Sequence, residues 1–168
     1  QVLNIPQSSG QRRAEAVISD AGSQLIAERL GAEIKFDYHP VADGNGRIPK
    51  TTFRPNIPSG ANVLMLQMSQ EQVGPLHDIW YYDAVTPWVD TGVDVEDDVL
   101  SELTLTIDFA KDKFQLNVDG PGHDMTSEWL PIQNGPVLEG VDFVEYGSSD
   151  TGVRSYIDNL TIRPFPTR

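Results

Sequence analysis

Apolar and polar residues alternate over much of the chain, which is the pattern of β-strands with one buried face. The clearest run covers residues 103–109, where leucine and isoleucine alternate with threonine. A second run at 114–118 follows a short polar stretch, so the two runs predict a β-hairpin. The same pattern predicts further strands at 14–18, 34–38, 63–68, 79–82, 141–146 and 155–163.

The alternation also predicts which side chains form the core. Side chains two residues apart in a strand share one face, so the apolar members of each run are expected to face inward. The predicted core residues are Leu103, Leu105, Ile107, Leu116, Val118, Ile157 and Leu160. Ile157 and Leu160 have opposite parity, so a regular strand would place them on opposite faces.

Turn residues separate the predicted strands, as in the glycine-, proline- and aspartate-rich stretches at 42–46, 58–60 and 119–122. Many short strands divided by such turns are typical of antiparallel sandwiches and barrels. The predicted fold class is therefore all-β, with the strands in antiparallel sheets.

Residues 20–30 differ from the rest, because their apolar positions have helical spacing. Either Ser19 or Asp20 could cap the start of a helix, and Gly31 could end it in a left-handed conformation. We therefore expect one short helix in this window.

Composition and charge narrow the domain count and the classes of partner. The 168 residues show no repeat or break, so 1–163 are predicted to form one sandwich domain and 164–168 a terminal tail or linker. The chain has 12 Lys and Arg against 25 Asp and Glu, a formal charge of −13. Such a surface repels nucleic acid and anionic membranes. No apolar run approaches the ~18–20 residues of a membrane span, so we expect no membrane insertion.

The absence of cysteine excludes disulfide frameworks, thiolate zinc sites and cysteine nucleophiles. An acidic, cysteine-free chain with 14 Gly and 12 Pro suits the outside of a bacterium, where disulfides are optional. We expect a secreted or cell-surface protein, whose leader would have been removed before Gln1.

The order of features in the second half resembles the concanavalin A-like lectin/glucanase superfamily, which includes laminin G-like domains and carbohydrate-binding jelly rolls. The features are a tryptophan-bearing strand at 79–82, the strand at 103–108, its return through 118–120 and a final strand at 155–162. The resemblance implies a jelly-roll sandwich of two antiparallel sheets. Because members include binding modules, hydrolases and lyases, the fold does not settle the function.

Catalytic signatures of that superfamily are not recognisable in the sequence. Its retaining hydrolases carry acidic residues that alternate along one strand, and the nearest acidic run, 96–98 with Glu102, lacks this alternation. The residue groupings of its lyases and a Gly-x-Ser-x-Gly elbow are also missing from the sequence. A binding function is therefore favoured over catalysis.

An aromatic segment at 77–88 is the best candidate for binding a sugar, because rings stack on the C–H face of a sugar while nearby polar groups bind its hydroxyls. Strand alternation puts Trp80 and Tyr81 on opposite faces. We expect Trp80 in the core, which leaves Tyr81 exposed. The predicted ligand-binding residues are His77, Asp78, Tyr81, Tyr82 and Trp88.

Calcium is the expected cofactor. The resemblance implies a calcium ligand at Asp158, in the last strand, although no N-terminal partner for it is identifiable. Asp43 and Asn45 resemble the start of a calcium loop, but the closing acidic residue is missing, so an ordinary turn is the alternative.

The sequence thus predicts an extracellular, calcium-stabilised module that binds polysaccharide or another glycan, either alone or beside other domains of a larger surface protein. Two alternatives stay open. One is a structural or adhesive surface protein that self-associates. The other is a polysaccharide-degrading enzyme whose catalytic residues do not match a known pattern.

Overall fold

The computed structural model describes residues 7–8, 11–42, 49–56, 61–68, 75–83, 86–135, 137–146 and 154–165. Asp43 and Asn45 lie outside these residues. The described elements are β1 (Gln7–Ser8), β2 (Gln11–Val17), α1 (Asp20–Arg29), β3 (Gly31–Val41), β4 (Lys50–Asn56), β5 (Leu66–Met68), β6 (Leu76–Tyr81), β7 (Val89–Glu96), β8 (Ser101–Asp108), β9 (Lys113–Gly120), β10 (His123–Thr126), β11 (Leu130–Pro131), β12 (Gly140–Tyr146) and β13 (Arg154–Pro164).

Two antiparallel sheets make up the fold. One is seven-stranded in the order β1-β2-β12-β4-β5-β6-β7, and the other runs β10-β9-β8-β3-β13, with β11 paired to β9. Neighbouring strands in both sheets are often far apart in sequence, as where β12 lies between β2 and β4. The predicted all-β, two-sheet sandwich with one short helix is confirmed, as is the hairpin of β8 and β9.

An aromatic cluster joins the two sheets at the centre of the core. Phe36 on β3 lies 5.0 Å, between ring centroids, from both Phe53 on β4 and Phe143 on β12. The rings of Phe53 and Phe143 are themselves 4.8 Å apart across neighbouring strands. All three side chains are at most 1% exposed, so this cluster contributes both area burial and ring-to-ring attraction.

A buried polar network lies beside the aromatic cluster. The Tyr38 hydroxyl donates to Thr51 Oγ1 at 3.2 Å, and Ser155 Oγ lies 2.7 Å from the same threonine oxygen. The Ser155 N–H donates to Glu145 Oε2 at 2.7 Å. Burial raises the pKa of Tyr38 to about 12. The hydroxyl therefore stays protonated and links β3 to the opposite sheet.

A β-bulge in β13 explains how Ile157 and Leu160, which have opposite parity, can both pack against the core. Asp158 lies opposite Asp37 on β3, whereas the next register pair joins Thr161 to Lys35. The extra residue of β13 is absorbed at Asn159, whose φ is 52°. Ile157 is therefore buried, and Leu160 packs partly buried against the same core.

The helix is present as predicted, but its end differs. Ser19 is the N-cap, with its Oγ accepting the Gly22 N–H at 3.3 Å. The left-handed residue is Leu30, with φ 57°, and not Gly31, which instead begins β3. The expected glycine C-cap is wrong because β3 starts at Gly31, three residues before the predicted strand at 34–38, so the left-handed turn falls on Leu30. β13 continues through Pro164, and the boundary drawn at 163 stays a prediction.

Replacing Leu105 by Ala tests the core assignment. Leu105 is fully buried in β8, so the Leu105→Ala variant should lose about 2–5 kcal/mol of unfolding free energy in urea denaturation. Thr104→Ala, on the other face of the same strand, is the matched control and should change stability by no more than about 0.5 kcal/mol. A Leu105→Ala loss as small as that of the control would contradict the assignment.

Candidate functional site

The alternation of side chains along β6 determines which of its aromatic residues are accessible to a ligand. Ile79 and Tyr81 face the core, and the Tyr81 ring packs edge-on against Phe114 of the other sheet, with centroids 5.6 Å apart. Trp80 therefore points to the outer side, where it is half-buried. The expectation of a core Trp80 and an exposed Tyr81 is wrong, because the smaller ring fills the space beside Phe114.

His77 has the same parity as Tyr81 and is fully buried. Neither of its ring nitrogens has a hydrogen-bond partner within the described part of the chain. Burial lowers the pKa of His77, while the negative charges of Asp97 and Asp94 act in the opposite direction. As a predicted ligand residue, His77 thus lacks the accessible ring that the prediction assumed.

The outer side of the seven-stranded sheet forms a face with an aromatic rim and a polar floor. Its central row is set by register across β12, β4, β5, β6 and β7. We call this surface the aromatic face and define it by Lys50, Thr52, Arg54, Gln67, Asp78, Trp80, Trp88, Asp90, Asp94, Asp142, Val144 and Tyr146. Although they point away from the core, Thr52, Gln67 and Val144 are only 3%, 8% and 3% exposed.

Lys50 and Trp88 cross over the floor of the aromatic face. By register they start on opposite sides of the Thr52–Gln67 row, yet Lys50 Nζ lies 5.9 Å from the Trp88 ring centroid. The same ammonium is 5.9 Å from the ring of Tyr146, which places a cation between two aromatic rings.

The conformation of Trp88 is itself unusual. Its φ of 59° lies in the left-handed region, which a bulky residue adopts only when its surroundings impose it. The ring of Tyr82 holds it with an edge-on contact at 5.5 Å between centroids. Of the predicted ligand residues, Tyr82 and Trp88 therefore lie together, at the β6–β7 end of the face.

Two buried polar atoms on the aromatic face have no hydrogen-bond partner among the described residues, Gln67 Oε1 and Arg54 Nε. Buried polar groups are nearly always paired, so each such atom calls for a partner, a water or a ligand. Arg54 Nη2 donates to Asp142 Oδ2 at 3.3 Å, and Arg13 binds the same carboxylate at 2.8 Å. Asp142 is thus shared by two guanidinium groups.

Carboxyl groups cluster at the β6–β7 side of the face. Asp78 lies opposite Asp94, and Asp90 lies opposite Trp80. Burial first, then a side-chain hydrogen bond with Asp94 and the charges of Asp90 and Asp94, raise the pKa of Asp78 to about 6. Asp78 can therefore hold a proton in mildly acidic solution, where an ordinary aspartate is ionised.

Asp158, the predicted calcium ligand, contacts its neighbour at the bulge of β13. Its Oδ1 accepts the Asn159 N–H at 2.8 Å, and the facing Asp37 accepts the Asn159 side-chain amide at 2.6 Å. Within the described ranges, no three acidic or histidine side chains are grouped so as to hold a metal ion. Calcium binding stays a prediction, which melting curves recorded in calcium and in chelator would test.

Sequence reasoning missed most of the floor. Lys50, Thr52 and Arg54 alternate with inward-facing residues along β4. This alternation is present in the sequence, but no recognisable motif accompanies it. Gln67 lies in the apolar run at 63–68, where too little alternation is present to show which side chains face inward. Asp94 lies in β7 beside Asp78, in a segment where the sequence pattern predicts no strand.

Comparisons with known proteins place the fold. No family model and no curated protein sequence matches the chain. Among solved structures, a sialidase is similar with a TM-score of 0.65 and 10% identity over 92% of this chain, which spans only 14% of the sialidase. A tetrameric galectin from the ball sponge Cinachyrella sp. is similar with a TM-score of 0.58 and 11% identity, over 90% of this chain and 99% of the galectin.

A third similar structure is the GH131 beta-glucanase catalytic domain from Podospora anserina, with a TM-score of 0.53 and 13% identity. That match covers 95% of this chain and 67% of the glucanase domain. These structures are similar to this chain in the antiparallel two-sheet sandwich. At such low identities the likeness extends to the fold, and it confirms the fold that the resemblance in sequence order implied.

The buried His77 should make the protein less stable in acid. Because its folded pKa lies below its unfolded value of about 6.5, the unfolded state binds the extra proton, and stability falls as pH drops below about 6.5. The His77→Leu variant should lose less unfolding free energy between pH 7 and pH 5 than the parent. The difference can reach about 1.4 kcal/mol per pH unit. If urea denaturation shows the same loss of unfolding free energy with falling pH for the parent and for His77→Leu, this account is refuted.

Proposed function

We propose that the protein binds a glycan on the aromatic face. The observation that carries this proposal is the combination, on one side of one sheet, of the indole rings of Trp80 and Trp88 with the buried Gln67 Oε1, which has no hydrogen-bond partner among the described residues. A sugar ring offers C–H groups on its faces and hydroxyl groups at its edge. The rings can stack on the former while the amide and carboxyl groups bind the latter.

The structural likeness supports a carbohydrate-related role. Several of the similar structures are named as a sialidase, a galectin, a beta-glucanase, an alginate lyase and a carbohydrate esterase. Within the described residues, no helix is long and apolar enough to cross a membrane. We propose a secreted or surface location. Because the chain matches only 14% of the sialidase, it could act as one module of a larger protein.

Alanine substitutions at two neighbouring aromatic residues, made one at a time, distinguish a loss of binding from a loss of stability. Trp80→Ala should weaken polysaccharide binding about ten-fold or more, with little loss of melting temperature, because the ring lies on the outer side. Tyr81→Ala should instead lose about 3–5 kcal/mol of stability, because its ring is in the core. Affinity gel electrophoresis against a polysaccharide panel, with thermal denaturation of each variant, makes the comparison.

Trp88→Ala provides a second readout on the same face and should also weaken binding in a folded protein. An unchanged affinity in both tryptophan variants would refute the proposed site. A protein that merely self-associates would bind none of the polysaccharides, which separates the adhesive alternative from this proposal.

Glycoside hydrolysis is a second candidate, favoured by the carboxyl group of Asp78. Hydrolysis needs an acid that donates a proton to the leaving oxygen and a base that takes a proton from the attacking water. Asp78 can supply the proton, because its pKa is raised to about 6, and the neighbouring Asp90 can serve as the base. Both flank Trp80, where a sugar would stack.

Asp78→Asn distinguishes a hydrolase from a binding module. If the protein is a hydrolase, the variant should lose at least about 100-fold in the release of reducing ends while retaining its affinity for the polysaccharide. Asp119→Asn, on the other sheet, should leave the rate unchanged. Failure of the parent to release reducing ends from any polysaccharide that it binds would rule out this second function.

A further inference from the structure

We propose that the glycan bound on the aromatic face is acidic and that Lys50 recognises its carboxylates. This inference rests on the proposed function, and it specifies the class of ligand. The starting observation is that Lys50 Nζ lies at 5.9 Å from the ring centroids of both Trp88 and Tyr146, at the surface where a sugar would stack.

Among the described residues, no carboxylate pairs with the ammonium of Lys50. No carboxylate within the described ranges comes within 4 Å of its ammonium, although the chain has 25 acidic residues against 12 basic ones. Lys35 and Lys111, by contrast, pair with Glu102 and Asp108 at 2.6 and 2.8 Å. Aromatic rings attract a cation only weakly, so an incoming anion is the stronger partner for Lys50.

The same side of the face has a surplus of positive charge. Arg13 and Arg54 share one carboxylate, that of Asp142, at 2.8 and 3.3 Å. The exposed Glu15 adds a longer contact of 3.6 Å to Arg13. Together with Lys50, the described residues of the β2–β4 side thus supply three cations against two carboxylates. The buried Nε of Arg54 also has a free N–H within the described part of the face.

Positive and negative side chains lie on opposite sides of the aromatic face, separated in the direction perpendicular to the strands. Cations lie on β2 and β4, whereas Asp78, Asp90 and Asp94 lie on β6 and β7. A polymer with carboxylates along one edge and hydroxyls along the other fits this arrangement in one orientation, with its carboxylates towards β4. The acidic side would then accept hydrogen bonds from the hydroxyl groups, and Gln67 and Trp80 would contact the ring between them.

Matched polymers with and without charge test this inference. The probes are polygalacturonate, alginate and hyaluronan, each compared with its carboxyl-reduced form, which keeps the backbone and loses the charge. Binding is measured in chelator, so that bridging calcium plays no part. We expect at least one acidic polymer to bind about ten-fold or more tightly than its reduced form, with an affinity that falls as salt rises.

Lys50 variants assign the effect to this side chain. Lys50→Met should lower the ratio of the affinity for the acidic polymer to the affinity for its reduced form, and Lys50→Arg should keep that ratio close to the parent's. Lys35→Met, on the other sheet, should leave the preference unchanged. Thermal denaturation checks that each variant is folded, and the Lys50→Arg protein keeps the test valid if Lys50→Met fails to fold.

Several outcomes would overturn the inference. Equal binding of acidic and reduced polymers, or an unchanged preference in Lys50→Met, would show that Lys50 does not select carboxylates. Binding confined to neutral polysaccharides such as laminarin or galactan would overturn this inference and leave the proposed function standing. Tighter binding of dextran sulfate than of all three uronate polymers would assign the site to sulfate instead. Binding to none of the polymers would overturn both proposals.

Discussion

Packing between aromatic rings of the two sheets is the contact on which the rest of the structure depends. The contact of Tyr81 with Phe114 and the cluster around Phe36 fix which residues of the seven-stranded sheet face inward. Because side chains alternate with a period of two, a slip of one residue would exchange the inner and outer sets. Core packing therefore determines the composition of the aromatic face as well as the stability of the sandwich.

The two outer surfaces of the sandwich differ in the chemistry that they present. On the six-stranded sheet, the register aligns Asp158, Asp37, Glu102 and Asp119 in one row across four strands. That row contributes to the net charge of −13, with Asp119 exposed and the other three side chains partly buried. The seven-stranded sheet instead combines rings, buried polar atoms and opposed charges. A ligand with an apolar side and a polar edge therefore finds complementary groups on the aromatic face.

Local pattern predicted many of the elements but missed β4 and β7, two strands of the aromatic face. The runs at 103–109 and 114–118 appear as β8 and β9, and the helix lies within the window where apolar spacing changed. Pattern could not predict the bulge at Asn159, because the bulge depends on fitting β13 against β3. The pairing of strands distant in sequence, such as β12 with β4, also has no local signal.

The site was predicted only in part, for a related reason. Sequence proximity identified Asp78, Tyr82 and Trp88, which do lie on or beside the aromatic face. The alternation of side chains does not show which of Trp80 and Tyr81 faces the core, because both rings are apolar enough to be buried. Contacts with the other sheet place Tyr81 inside. Lys50 and Gln67 lie far from these residues in the chain, so nothing in the sequence connects them to the site.

The central claim is that the outer side of the seven-stranded sheet, and no other surface, meets the glycan. The three tryptophan indole N–H signals in a ¹H–¹⁵N NMR spectrum test it during titration with an oligosaccharide of a polymer that binds. We predict that the signals of Trp80 and Trp88 shift, while that of Trp129, which is 40% exposed in the connection from β10 to β11, does not. A shift confined to Trp129, or to backbone amides of Thr104 and Asn117 on the opposite sheet, would contradict the account.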